Sequence, residues 1–416
     1  SDNDLQGTNA KLASETIESL ETASLALQLQ QFIRRVETGA IYRDHKSLFN
    51  PKQAVDQHLL ENLRETRDRL CKEKTIEEYR RAHALIGKFL FSCYLLDRGI
   101  IGPAYLNKNR LPEANNSLEL LTAILAYQGP VLSSLFHVLQ RDFNGSLFGD
   151  QLESEISEQE AGYLCRFLSG ENLQAGQGAL FRLYDFSFIP VELISSIYQE
   201  FLATETEFEA QPTRKNQLRK HGQRTQGAYY TPPRLAELAI DIATEKWETL
   251  LDKRCLDPAC GSGIFLVILF VRMAEEWRKR NSNASTVERY AALMNLLAEN
   301  LQGVDINHTA CLVTCFSLYL AFLNQMEPKE VMELREALER DSRAKLLPRI
   351  LWERDKPRPR LPHHGTVRVL DFFELPRKQE FHLVIGNPPW VSRKPAPSAE
   401  EWLVTNSHLF LAKSVK

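Results

Sequence analysis

The chain has no large excess of charge of either sign. Its 51 lysines and arginines stand against 54 aspartates and glutamates, giving a net charge of −3 over 416 residues. That balance excludes a globally basic nucleic-acid binder, so any DNA contact must use a local patch. Long apolar runs are missing too. No stretch is long enough to span a bilayer and no signal peptide is recognisable, so no membrane partner is expected. Cysteine is scarce, with seven residues. The odd number, in no disulfide-like spacing, fits a reducing cytosol. Cys311 and Cys315 fall four apart on a predicted helix with no histidine cluster near them. They are expected as small buried side chains, and no metal site is predicted. What the chain does have is core-forming material: 43% of it is apolar, and its length suits roughly two or three domains.

The most informative stretch is Asn387-Pro388-Pro389-Trp390, which follows the apolar run 381–386. The Asn side-chain oxygen and the Pro388 carbonyl can both accept from one exocyclic amino group. Two prolines fix φ at consecutive residues, which keeps those acceptors aimed. Trp390 supplies a flat face for a base. The same letters also suit a rigid turn after a buried strand.

An earlier segment narrows the choice. Cys255-Leu256-Asp257-Pro258-Ala259-Cys260-Gly261-Ser262-Gly263-Ile264 reads as a strand, a glycine-rich turn and a helix start. Gly261 and Gly263 let backbone pass close to a ligand. The position three beyond Gly263 is Leu266, so the third glycine of the dinucleotide fingerprint is absent and a pyrophosphate ligand is disfavoured. Next, 301–305 reads as a strand ending in Asp305, an acid placed either to bind ribose hydroxyls or to cap a helix. The interval from Gly261 is about twice the usual twenty residues, and an inserted helix after Asn281-Ser282-Asn283-Ala284-Ser285 accounts for the excess. A third strand, 366–370, ends at Asp371-Phe372, an acid beside an aromatic suited to adenine.

In this order, the motifs resemble a γ-class amino-methyltransferase acting on DNA adenine, as in type I modification subunits and type IIG restriction-modification enzymes. Gly227-Ala228-Tyr229-Tyr230-Thr231-Pro232 resembles the motif at the amino-terminal edge of that catalytic domain, and the stretch 85–99 is similar to the helical region before it. The resemblance implies an α/β fold: a helical amino-terminal domain, then a Rossmann-like class I methyltransferase domain without its last strands. It implies S-adenosyl-L-methionine (AdoMet) held by Tyr230, Thr231, Asp257, Ala259, Gly261, Gly263, Asp305, Ile306, Asp371 and Phe372. It implies catalysis by Asn387, Pro388, Pro389 and Trp390. The partner would be double-stranded DNA, with target recognition supplied by a missing carboxy-terminal region or a second polypeptide, in the cytoplasm of a prokaryote. Trp390 replaces the tyrosine or phenylalanine commonest in adenine-specific relatives, which leaves cytosine N4 open as a target. A bifunctional restriction enzyme needs clustered acids and a lysine on a hairpin; Glu327-Pro328-Lys329 has the letters but follows a helix. Methylation of RNA or of a protein glutamine side chain, and a non-catalytic AdoMet- or DNA-binding subunit of a defence complex, are the remaining alternatives.

Along the chain, residues 1–203 read as helical, with neither strand alternation nor an internal repeat. Thr75-Ile76-Glu77-Glu78 reads as a capping box. Ile76, Tyr79, Ile86, Phe89, Leu90, Cys93 and Leu96 make an apolar stripe, and Gly99 a stop. Pro190 is expected to open a helix over 191–202. Residues 204–226 turn from acidic to basic and read as a charged linker or phosphate-contacting arm. The catalytic domain, 227–416, is expected to open with Thr231 as N-cap and Pro232 as first helical residue of a helix to about Leu250. Strand–helix alternation over 254–257, 264–279, 301–305, 308–323, 366–370 and 381–385 predicts a parallel sheet with helices on both faces. The basic stretch from Arg343 to Arg368 reads as a surface loop, with His363-His364 exposed. A last helix is expected at 408–413.

Overall fold

Where the sequence shows an apolar helical stripe and no alternation, the described elements of the amino-terminal half are helices. A computed structural model describes residues 55–71, 75–127, 129–143, 156–169, 186–187, 231–338, 346–347, 350–352, 366–375, 380–388 and 397–405. By contacts the chain falls into two units, Ser1–Glu61 and Asn62–Lys416. Of the first unit, residues 55–61 are described; the described sheet and its strands belong to the second. Among the described residues, the helices of the amino-terminal half are α1 (Val55–Leu70), α2 (Ile76–Asp97), α3 (Pro103–Lys108), α4 (Ser117–Tyr127), α5 (Gly129–Asp142) and α6 (Glu158–Ser169). Thr75 caps α2, its side chain accepting from Glu78 N at 3.3 Å. The predicted stripe is buried from Tyr79 to Leu96, and α2 stops where Gly99 takes a positive φ of 67°. The expected helix at 191–202, the segment 204–226, the run Arg354 to Arg360 with His363-His364, and 408–413 lie outside the described residues.

The second half alternates. It runs α7 (Pro233–Thr244), β1 (Cys255–Asp257), α8 (Ile264–Arg280), α9 (Thr286–Asn295), β2 (Leu301–Asp305), α10 (His308–Asn324), α11 (Pro328–Leu338), β3 (Leu351–Trp352), β4 (Val367–Val369), β5 (Leu383–Val384) and α12 (Pro397–Thr405). A π turn, Leu296–Asn300, joins α9 to β2, and a 3-10 turn, Phe372–Glu374, follows β4. All strand pairs are parallel, in the order β3-β4-β2-β1-β5. The inserted helix expected after Ser285 is α9. It carries a full capping box, Ser285 with Glu288.

Three expectations are corrected. The first helix of this half starts at Pro233, with Pro232 as N-cap, and ends at Thr244. It stops early because the following backbone finds tertiary partners: the Glu276 carboxylate accepts from Thr249 Oγ1 (2.6 Å) and Leu250 N (3.0 Å). Second, the stretch from Arg343 to Arg368 is not wholly a surface loop. Leu351–Trp352 forms an edge strand, and Arg368 is buried within β4. Burial, then the nearby Arg254 charge, lowers the Arg368 pKa. Third, among the described residues, the helices packed closely on the sheet, α8 and α10, share one face. Gly303 of β2 sits beneath Leu266 of α8, and Cys311 of α10 donates to Asp305 O and Arg368 O. The opposite face holds Leu256, Val304 and Leu370, with Trp352, Leu375 and Phe381 packed on them.

Helix α10 is buried on nearly every side, which explains its lack of a polar face. Phe322 stacks on Phe270 of α8 at 6.3 Å, while Phe316 meets Phe91 of α2 edge-on at 6.0 Å. Tyr94 donates to Asn324 Oδ1 at 2.6 Å. The helical and α/β parts thus share α10 as a common core element. No single helix among the described residues is long and apolar enough to cross a membrane, and all seven cysteines are buried thiols.

Candidate active site

Sheet order decides where a ligand goes. β1 lies between β2 and β5, so strand progression reverses at β1, and in open α/β sheets the crevice beyond the carboxyl ends at such a point receives ligands. The residues at those ends are Asp257, Asp305, Asp371 and Asn387. All four are sequence-predicted site residues, and the parallel register brings them to one edge of the sheet.

The glycine-rich loop after β1 is held from several sides. Cys260 N donates to Val304 O (2.9 Å) and Gly263 N to Cys260 O (2.7 Å). Asp305 ties the loop to β2: its Oδ2 accepts from Gly261 N at 3.0 Å and its Oδ1 from Asn307 N at 2.8 Å. Asn307 caps α10, its side chain accepting from Ala310 N, so Asp305 is not the N-cap. The two glycines serve different ends. Gly261 has a φ of 54° and nothing within 4 Å of where a Cβ would stand. Gly263, at a φ of 83°, faces Thr314, whose Cγ2 would lie 2.7 Å from a Cβ. Thr314 also donates to Gly261 O at 2.8 Å. Sequence reading missed Thr314, which is fully buried; a polar residue within the apolar run of α10 was the available signal.

Asp257 is 1% exposed, and its Oδ1 accepts from Ala259 N at 3.2 Å. Burial, reinforced by the Asp305 charge, pushes its pKa from 3.8 up to about 7. Burial also raises Asp305, against the hydrogen bonds that favour its anion. Gly386 was missed as well: a Cβ there would collide with Asp257 Oδ1, so the end of β5 can close on β1 only as glycine. An isolated glycine at a strand end is the signal for such an approach.

Asp371 caps the 3-10 turn, accepting from Phe373 N at 3.0 Å. Phe372 is partly exposed and Ile306 largely so. Asn387 donates from Nδ2 to Thr231 Oγ1 at 3.1 Å. Thr231 therefore serves as partner to Asn387 instead of as a helix cap. Pro388 is exposed at the end of the described strand segment. Tyr230, Pro389 and Trp390 lie outside the described residues. Among those described, no group of three or more His, Cys, Asp or Glu side chains could hold a metal ion.

Residues 299–410 match the family described as Eco57I restriction-modification methylase. That stretch includes β2 with Asp305, the Asp371-Phe372 turn and Asn387 to Trp390. A 185-residue stretch is 26% identical to the type II methyltransferase M.PaeR7I of Pseudomonas aeruginosa, covering 44% of this chain and 26% of the relative. The chain thus spans about a quarter of the length of the curated relative it matches.

Proposed function

We propose that the chain is the catalytic part of a DNA methyltransferase of a restriction-modification or phage-defence system, moving a methyl group from AdoMet to N6 of a flipped adenine. The observation that carries this reading is the shared crevice. Asn387-Pro388 leaves β5 beside β1, whose glycine loop is bound to Asp305 of β2. The resemblance to restriction-modification methylases supports it from a separate direction.

The donor set fits AdoMet. Carboxylates at three strand ends, Asp257, Asp305 and Asp371, suit a ligand with hydroxyls and a cationic amino-acid group. Open space beside Gly261 leaves room for it, and the exposed Ile306 and Phe372 suit a flat base. Bound there, AdoMet supplies an electrophilic methyl group on sulfur.

The protein's own task is to hold the acceptor nitrogen. An adenine must leave the duplex, at a cost of a few kcal/mol, and stacking on Trp390 offsets about 1–3 kcal/mol of that. The N6 lone pair is delocalised into the ring and is a poor nucleophile. The Asn387 side-chain oxygen and the Pro388 carbonyl accept from the amino group, localise its lone pair and stabilise the charge that develops on nitrogen. Thr231 holds the Asn387 amide in place for this. No covalent enzyme intermediate is needed.

The test is calorimetric AdoMet binding, followed by transfer of a labelled methyl into mixed DNA with identification of the product nucleoside. N6-methyladenine is expected. N4-methylcytosine would correct the base, and absence of AdoMet binding would overturn the reading.

A further inference from the structure

Helix α12 begins nine residues after Pro388 in the chain. It packs against the 3-10 turn Phe372–Glu374. The contact is aromatic: Phe373 and Trp402 lie 5.7 Å apart between centroids at 52°. Phe372 and Phe373 form an edge pair of their own at 5.4 Å and 67°. Successive side chains of a 3-10 turn point about a third of a revolution apart, so one turn addresses two neighbours. Asp371 joins them, because its carboxylate accepts from the backbone N of Phe373. A ligand that engages Asp371 or Phe372 therefore fixes the backbone on which Phe373 stands.

We propose that the Phe373–Trp402 pair is a positioning contact that couples occupancy of the Asp371-Phe372 turn to helix α12. It rests on the reading of that turn as part of the AdoMet site. A ligand on the turn stabilises α12, and a settled α12 improves ligand binding, since such coupling is reciprocal. One aromatic pair supports a coupling of roughly three- to tenfold.

The experiment is amide hydrogen exchange over 397–405 in the full chain, with and without saturating AdoMet. Wild type is expected to slow about three- to tenfold on AdoMet addition. Phe373→Ala and Trp402→Leu are expected to keep AdoMet affinity within the coupling factor, about tenfold, but to lose the slowing. Trp402→Phe, which keeps a ring, should retain it. If AdoMet binds wild type and α12 exchange is unchanged, or if the slowing survives in both Phe373→Ala and Trp402→Leu, the coupling is overturned. If AdoMet fails to bind wild type at all, the assignment of the site falls with it.

Discussion

The Asn387 side-chain amide donates to Thr231 Oγ1 at 3.1 Å, joining the end of β5 to the residue two before α7. Two motifs 156 residues apart in sequence thus meet through one hydrogen bond. If Asn387 holds the target amine, Asn387→Ala should cost on the order of 10² to 10³ or more in methyl transfer, with AdoMet affinity nearly intact. Thr231→Val should cost less, about tenfold, as loss of one part-buried hydrogen bond. Labelled-methyl incorporation beside calorimetry checks both; near-normal transfer by Asn387→Ala would refute the role.

Asp305 accepts from two backbone amides on either side of the crevice floor. Asp305→Ala leaves those donors without their anion and removes the proposed ribose partner. AdoMet affinity should fall by roughly 1–3 kcal/mol. Unchanged affinity by titration calorimetry would sink the assignment.

Asp257 gives a pH dependence with a definite sign. Its folded pKa, about 7, lies above the ordinary 3.8. Between those values the folded chain binds more protons than the unfolded one, so stability falls as pH rises through that window and levels off above about 7. Each unit of difference corresponds to about 1.4 kcal/mol. Asp257→Asn carries no such slope, so it should gain stability relative to wild type between pH 4 and pH 8. Urea midpoints that run parallel for the two proteins would contradict this.

The buried ion cluster between the two halves predicts a stability effect with no direct effect on the site. Asp142 accepts from Tyr105 Oη (2.8 Å) and Arg141 Nε (2.5 Å), and Arg335 lies 3.9 Å away with its guanidinium over the Tyr105 ring. Burial opposes ionisation of Asp142, but the hydrogen bonds from Arg141 and Tyr105 outweigh it and hold its pKa below the ordinary value. Arg335→Ala breaks a buried pair and should destabilise by about 3–5 kcal/mol. Tyr105→Phe should cost about 1–3 kcal/mol, leaving part of Asp142 without its donor. Denaturant unfolding measures both.

Strand ends were legible because each motif follows a short apolar run: β2 and the start of α10 fall where sequence places them, at 301–305 and 308. The two-residue strand β3 was not, since Leu351–Trp352 sits among charges and prolines and pairs only through β4. The end of α7 was missed for a related reason. Glu276, 26 residues beyond Leu250, takes the backbone that local pattern would have kept in the helix. In the candidate site, the strand-end residues Asp257, Asp305, Asp371 and Asn387 were readable. Residues that hold them, Thr314 and Gly386, leave only a faint local signal, because their role depends on which surfaces meet.

Gly261 and Gly263 offer the sharpest separation of support from binding. Both hold positive φ, so alanine at either carries roughly 1–2 kcal/mol of backbone strain. Beyond that they differ. Space beside Gly261 is open, so Gly261→Ala should fold with only that cost, yet crowd the ligand and weaken AdoMet. At Gly263 an added methyl meets Thr314 at 2.7 Å, in a helix packed on its other sides by α8 and the sheet. Overpacking of that kind adds about 1–3 kcal/mol. Gly263→Ala should therefore lose more stability, and Thr314→Ala, which removes Cγ2 and Oγ1, should recover part of that loss in the double variant. The readouts are an unfolding midpoint and an AdoMet titration for each protein. Equal destabilisation by the two alanines, with no rescue through Thr314, would show that the loop is held in some other way than by its seat on α10.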